Sequence, residues 1–440
     1  MSKKCYAFRR IEFETASALH AGNGESDPVQ DMPVQVDQNG LPMIKATSIA
    51  GVLRHLYTGN VDDLFGATGT DGCGSRIFVE NAVVCDEKNR PVEGLLVKLS
   101  EYLERIKHLR LRDHCRLDHR GVAEKTGKFD RTVLIAGVRF VTEISVIADS
   151  TEAAKKDIDS IMELWYSPLF RLGGGSRNGF GKIKVRKITG KEYDLSVENE
   201  RKAFLGRSAS LADNANEPEI TINVPADRTR GKFYRLELMP ENFWMVASGH
   251  GMDDIDIYPK FEQRIIRDDS DNPVFGEFPL LPATSIKGAL AHRVAYHYNR
   301  LTEKFADQMT PEELKDFAQQ ENPAVRMLFG SKKDKDAPGS AGRVIISDIY
   351  GESCAAKVFN HVKIDRFTGG AFDGALFFEK VFYGGNLILE ICVDPVEDET
   401  VMKAFDLAVE EIGNGMLPLG GGTMRGYGAM KAKTIGKMEI

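Results

Sequence analysis

The sequence predicts an α+β protein made of one split βαβ unit written twice, and three observations carry that prediction. LGGGSRNGFGKIKV, from Leu172 to Val185, returns as LGGGTMRGYGAMK, from Leu419 to Lys431, a shift of 247 residues between Gly173 and Gly420. Thr47-Ser48-Ile49 returns as Thr284-Ser285-Ile286, and LFG at Leu64 to Gly66 returns at Leu328 to Gly330. Strand-like and helix-like hydrophobic patterns follow one another in the same order in both halves.

In the first copy, residues 1–190, Phe8, Ile11 and Phe13 sit among polar residues between Tyr6 and Leu19 and read as a first strand. A glycine- and acid-containing loop follows from His20 to Pro42. Ile49, Val52, Leu53 and Leu56 then make a helical stripe in Ala46 to Tyr57, with Thr47 or Ser48 as its natural N-cap. Arg76 to Val84 reads as a second strand. A basic run from Arg105 to Arg120 leads into a strand, an exposed loop from about His119 to Arg131, and a return strand. Ala153 to Tyr166 reads as a second helix before the glycine turn and a last strand. Residues 191–230 turn polar and small, as in SASLADNANEPE, and read as a linker. The second copy, residues 231–440, repeats the order: strand, loop, helix, strand, hairpin, strand, helix, strand. That order is the ferredoxin-like pattern, shared with RRM-like single-strand RNA-binding sheets, here with an inserted β-hairpin in each copy.

Composition is that of a globular protein, 42% apolar and 28% charged, and no run reaches the ~18–20 apolar residues a membrane helix needs. Six cysteines are scattered without paired spacing, which suits reduced thiols in a cytoplasmic setting. His108, His114, Cys115 and His119 fit no common zinc spacing. A net charge of −7 speaks against a wholly basic nucleic-acid binder but allows one basic face. Consecutive glycines let backbone N–H groups face an anion, and Arg177 and Arg425 add fork-shaped donors; the competing reading is a tight turn that needs glycine for shape alone.

The ordered set HAGNG, DMPVQ, LPMIKATSIAGVLR, LFG, the RLDHRG and KIDRFTGGA hairpins and both LGGG loops resembles the RAMP superfamily. It is most similar to the backbone ("Cas seven"-like) subunits of type III CRISPR effector complexes, as two fused copies of the type III-D-like group. The resemblance implies binding of a CRISPR guide RNA and a target RNA, assembly with other RAMP and large-subunit proteins, and no membrane. It implies that each hairpin acts as a thumb that flips a target nucleotide. A loop Asp, which falls on Asp31, would then assist 2′-OH attack as an endoribonuclease with a divalent cation, expected as Mg²⁺ bound at Asp31. In the second copy, counting back from ATSIKG places Glu262 opposite Asp31, with Asp253, Asp254 and Asp256 as alternatives. His20 matches a His of the first glycine loop, and its aligned counterpart is Ala247, with His250 displaced. The RNA-binding set expected from these matches and from local charge is His20, Thr47, Ser48, Arg54, Arg116, Arg120, Lys125, Lys128, Arg177, Thr284, Ser285, Lys287, Arg293, Arg366 and Arg425. Helix caps and solvated surface charge are the competing readings for most of them. A guide-RNA scaffold without chemistry is the competing reading for the whole.

Overall fold

The computed structural model describes residues 4–24, 33–69, 72–117, 122–213, 217–224, 231–318, 321–331 and 338–439. Asp31 and Arg120 lie outside the described residues. No helix among the described residues is long and apolar enough to cross a membrane.

The first half runs β1 (Cys5–Thr15), α1 (Ala46–Leu56), β2 (Ile77–Val79), a hairpin of β3 (Arg110–Leu117) and β4 (Ala123–Val133), then β5 (Arg139–Ala148), α2 (Thr151–Leu164) and β6 (Ile183–Asp194). Its sheet has the order β2-β5-β1-β6, with every pair antiparallel. The second half runs β7 (Lys232–Pro240), a hairpin of β8 (Phe261–Arg267) and β9 (Pro273–Leu281), then α3 (Ala283–Leu301) and β10 (Val344–Ile346). It continues through a hairpin of β11 (Ala355–Ile364) and β12 (Ala371–Tyr383), then β13 (Leu387–Val393), α4 (Glu399–Gly413) and β14 (Met430–Glu439). Its sheet, β10-β13-β7-β14, has the same connection pattern and is again antiparallel throughout.

Each sheet buries one face under two helices. Ile11 and Phe13 of β1 pack with Ile49 and Leu53 of α1 and with Ile158, Ile161 and Met162 of α2. Leu236 and Leu238 of β7 pack with Ile286 and Leu290 of α3 and with Phe405 and Val409 of α4. At about 1.5–3 kcal/mol for each large side chain fully buried, these two stripes carry most of the stability of each half. The helix starts are fixed by Ser150, whose hydroxyl accepts from Ala153 N, and by Asp398, which accepts from Thr400 N and Val401 N.

Several local expectations change. Lys125, Lys128 and Arg131 lie on strand β4 rather than in a loop: a hairpin that projects into solvent is polar on both faces, so it lacks the alternation that marks a strand. Arg76 to Val84 is broken into β2 and Val83–Val84, both paired to β5. Thr47 and Ser48 are not caps. Helix α1 starts at Ala46, whose N–H goes to Asn81 Oδ1 at 2.8 Å. The described part of 191–230 covers the outer face of the first sheet. There Arg10 pairs with Glu143 and donates to Asp213 O, and Arg207 sits 3.6 Å over the Phe8 ring.

The two halves are docked through a buried ion cluster. Arg112 of β3, 3% exposed, donates from Nη1 to Asp348 Oδ2 at 2.6 Å and from Nε to Glu262 Oε1 at 2.9 Å. Its two carboxylate neighbours hold the guanidinium pKa well above the ordinary arginine value against the cost of burial. Asp348 Oδ1 accepts from Ala283 N, the first residue of α3, at 2.8 Å, and the Tyr350 hydroxyl donates to Glu262 Oε2 at 2.6 Å. Backbone closes in beside it. Ile265 N donates to Ala136 O at 2.9 Å, and a Cβ on Gly137 (φ +92°) would stand 2.0 Å from Ile265 O. Farther out, Arg139 pairs with Asp271 at 2.6 Å and holds its carboxyl down at about 2.

Arg112→Ala is expected to cost about 3–5 kcal/mol in denaturant unfolding, because Glu262 and Asp348 are left buried without their cation. The neutral triple Arg112→Met, Glu262→Gln, Asp348→Asn is expected to recover most of that loss. The Asp271 pair gives a pH signature. A carboxyl at about 2 in the folded chain and near ~3.9 when unfolded contributes stability that is whole above pH ~4 and lost as pH falls through about 2. Thermal melts from pH 5 to pH 2 are expected to fall less steeply for Asp271→Asn than for the unaltered chain.

Candidate nucleic-acid interface

Docking leaves a cleft of about 1180 Å³ between the halves. One wall is α1, with Thr47, Ser48 and, two turns farther on, His55. The glycine turn, with Gly173, Gly174, Ser176 and Arg177, adjoins it, and Gly342, Arg343 and Asp394 come from the second half.

The glycines of this turn serve close approach. Gly174 N donates to His20 O at 2.7 Å, and a Cβ on Gly173 (φ +79°) would lie 2.4 Å from the same oxygen. The turn is thus clamped to the segment that follows β1, and the Gly174 N–H is spent on that clamp instead of facing an anion. Side chains supply the charge. Arg171, two residues before the first of the glycines, is buried, with Nη1 on Pro168 O and Phe170 O and Nη2 on Ser347 Oγ at 3.2 Å. It has no carboxylate within ion-pair distance among the described residues, and burial lowers its pKa to about 10. Arg177 also lacks a carboxylate there and donates Nε to Gly342 O. Glu390 offsets part of the cost of burying the Arg171 charge from beyond ion-pair distance, and the Arg171 Nε finds no hydrogen-bond partner among the described residues, so the wall keeps a donor and a positive charge to offer an anion.

His20 adds a different function. Its Nδ1 is 2.8 Å from Thr132 O, an oxygen that only accepts, so Nδ1 carries the proton. Burial lowers the ring pKa, so it stays neutral and Nε2 is an acceptor. A Cβ on Gly22 would come within 3.2 Å of Nε2, so that residue must be small. The cation that acts on this ring is Arg131, whose charge adds to burial in lowering its pKa.

The remaining expected residues divide. Lys287 reaches the glycine turn, with Nζ 3.3 Å from Asn178 Oδ1, and its pKa is lowered by burial and by Arg177. Thr284 and Ser285 sit half-buried in the first turn of α3. Arg54 is turned to the other end of its helix, on Gly66 O and Asp62. Arg293 is fixed to Glu411 between α3 and α4. Arg116 pairs with Glu124 within hairpin β3–β4, Lys128 lies 3.8 Å from Asp113, and Lys125 is exposed on the same hairpin. Arg366 is exposed at the tip of hairpin β11–β12, and Arg425 binds Glu379 Oε1 at 2.7 Å.

Two registers differ from the aligned expectation in the second half. Gly421 N donates to Met245 O at 2.7 Å as Gly174 N does to His20 O, so Met245, and not Ala247, stands where His20 stands. Glu262 is held by Arg112 and Tyr350, whereas Asp253, Asp254 and Asp256 are exposed, with Asp256 accepting from Phe378 N. Sequence reading missed Arg171, Arg112 and Asp348. Only Arg171 left a signal, a base two residues before the three glycines. Among the described residues no three His, Cys, Asp or Glu side chains converge as a metal site requires.

A family model described as "RAMPs: RAMP superfamily" matches residues 12–184 and 244–431. No curated protein matches the chain.

Proposed function

The chain belongs to the RAMP superfamily, matched in two stretches as two copies, and from that premise we propose a fused double backbone ("Cas seven"-like) subunit of a type III, type III-D-like CRISPR effector complex. On this reading each half is a ferredoxin-like module, supported by the shared strand order of the two sheets, and hairpins β3–β4 and β11–β12 are its thumbs. The cleft between the halves takes the guide RNA, and the thumbs act on the target RNA paired to it. The observation that carries RNA binding is Arg171, a buried cation with no carboxylate partner among the described residues, on a wall shared with α1 and the glycine turn. Arg177 and Lys287 extend that wall, and the neutral His20 Nε2 offers an acceptor that ribose, with its 2′-OH, can satisfy and deoxyribose cannot.

Cleavage belongs to the first copy. The strand carries its own nucleophile: the 2′-oxygen bonds to phosphorus, the 5′-oxygen leaves, and the products end in a 2′,3′-cyclic phosphate and a 5′-hydroxyl. Asp31 accepts the 2′ proton, and water returns one to the leaving oxygen. A divalent cation, expected as Mg²⁺, would be held by Asp31 and would supply stabilisation of negative charge at the phosphate. The second copy grips without cutting. Glu262 is committed to Arg112, and Met245 stands in the place of His20.

Asp31→Ala in the complete complex, with guide and target RNA, is expected to lower the target cut opposite the first copy at least about 100-fold while guide RNA still co-purifies. An unchanged cut would reduce the chain to a scaffold.

A further inference from the structure

The last strand of each half forms one edge of its sheet, and the two edges are equivalent residue for residue. Ile188 of β6 stands opposite Ile11, and Ile435 of β14 stands opposite Leu236. Both strands carry a one-residue bulge at the same place, Arg186 in the first and Lys433 in the second, again 247 residues apart. Beyond the bulge the two edges differ. In the first half Ile220 N donates to Ile188 O at 2.8 Å, and Gly190 N donates to Pro218 O at 3.1 Å. Residues 218–220 thus run antiparallel along β6 as one more short strand. In the second half the matching groups are Ile435 O and Lys437 N, and no described residue bonds to either from outside the sheet.

The segment that fills the first edge is matched to it. It reads EPEITI from Glu217 to Ile222. Ile220 and Ile222 pack on the first core, and Glu217 reaches Arg10 at 3.7 Å and Arg207 at 3.5 Å. The strand it meets is basic, KIKVRK from Lys182 to Lys187. The second edge is basic too, KAKTIGK from Lys431 to Lys437, with Lys433 exposed and without an ion pair among the described residues. A bulge and lysines on an edge ordinarily keep other strands away. The first half shows that they do not prevent pairing here: the bonds at Ile188 and Gly190 begin two residues past Arg186, which is exposed as Lys433 is. An unpaired row of N–H and C=O groups on a folded sheet is a template for one more strand.

We propose that the edge of β14 takes an extended segment of another protein, acidic and with branched apolar residues at alternate positions, in the way residues 217–222 lie on β6. Main-chain bonds at Ile435 and Lys437 set its register, and its acids meet Lys433. A second copy of the chain pairing edge to edge is the other occupant that such a strand attracts. It would set two lysine-bearing strands side by side, which their like charge opposes. The site shares no residue with the inter-repeat cleft and stands whether or not that cleft takes RNA.

The test is fluorescence anisotropy of the full chain with a labelled peptide of residues 217–224, EPEITINV. Saturable binding is expected. Methylating the peptide nitrogen of Ile220 removes the donor to Ile435 O and leaves the protein unaltered. Lys437→Pro removes the strand's own outward donor, at an edge position where proline is tolerated. Each change is expected to weaken binding about fivefold. Lys433→Glu alters only an exposed side chain and is expected to weaken binding about threefold. Absence of saturable binding overturns the site. Binding unchanged by both Lys437→Pro and Lys433→Glu also overturns it, because the peptide has then exchanged onto β6 instead. Concentration-dependent dimerisation of the full chain that Lys437→Pro abolishes makes the edge a contact between copies and overturns the acidic partner.

Discussion

Arg112 holds the molecule in its working arrangement. It stands at the root of hairpin β3–β4, and its two carboxylate partners belong to the other half of the chain. One of them, Asp348, also fixes the first N–H of α3 and lies so close to Gly179 that a Cβ there would come within 2.3 Å of it. Hairpin root, helix start and glycine turn thus meet on one buried guanidinium. Desolvation makes such a cluster a weak source of net stability, but its geometry admits one docking arrangement and penalises others. The cleft lined by Arg171 and Arg177 exists only in that arrangement.

The duplication has diverged where this docking matters. The first N–H of α1 is capped by neutral Asn81, and that of α3 by Asp348, which doubles as a partner of Arg112. Phe359 lies where hairpin β3–β4 has Arg112, so hairpin β11–β12 cannot repeat the ion cluster. Met245 replaces the hydrogen-bonding His20 and packs with Val381 and Tyr427. The acid with which the second copy could match Asp31 by position is consumed in the docking cluster. One half has kept polar groups facing the cleft; the other has spent its equivalents on holding the pair together.

Much of the element order was legible because it rests on local signals. The recurring glycine turns, the stripe Ile49, Val52, Leu53, Leu56 and the alternation around Ile11 are short-range patterns. What stayed hidden depends on contacts distant in sequence. Arg112 sits in a basic run that reads as a solvated face, and only the second half, 150 and 236 residues on, makes it a buried ion. Arg9 and Arg10 look outward-facing yet are both buried, because α2 and residues 207–213 bring their partners. The Met245 register was lost because the loops between the repeats' first strands and first helices differ in length, so the two strand ends have to be matched without the helices as a guide. The functional residues predicted on the glycine turn and on α1 do share a cleft wall, whereas Arg54 and Arg293 are drawn away by Asp62 and Glu411.

That the docked halves form a groove gripping an RNA strand is tested most directly by photocrosslinking. The full chain would be irradiated with RNA carrying 4-thiouridine, and the modified peptides mapped by mass spectrometry. Crosslinks should concentrate on the cleft, at Tyr57 and at Ser176 to Asn178, and should disappear when Arg171 and Arg177 are both replaced by Met. Crosslinks confined to the outer faces of the two sheets, with the cleft peptides unmodified, would contradict it.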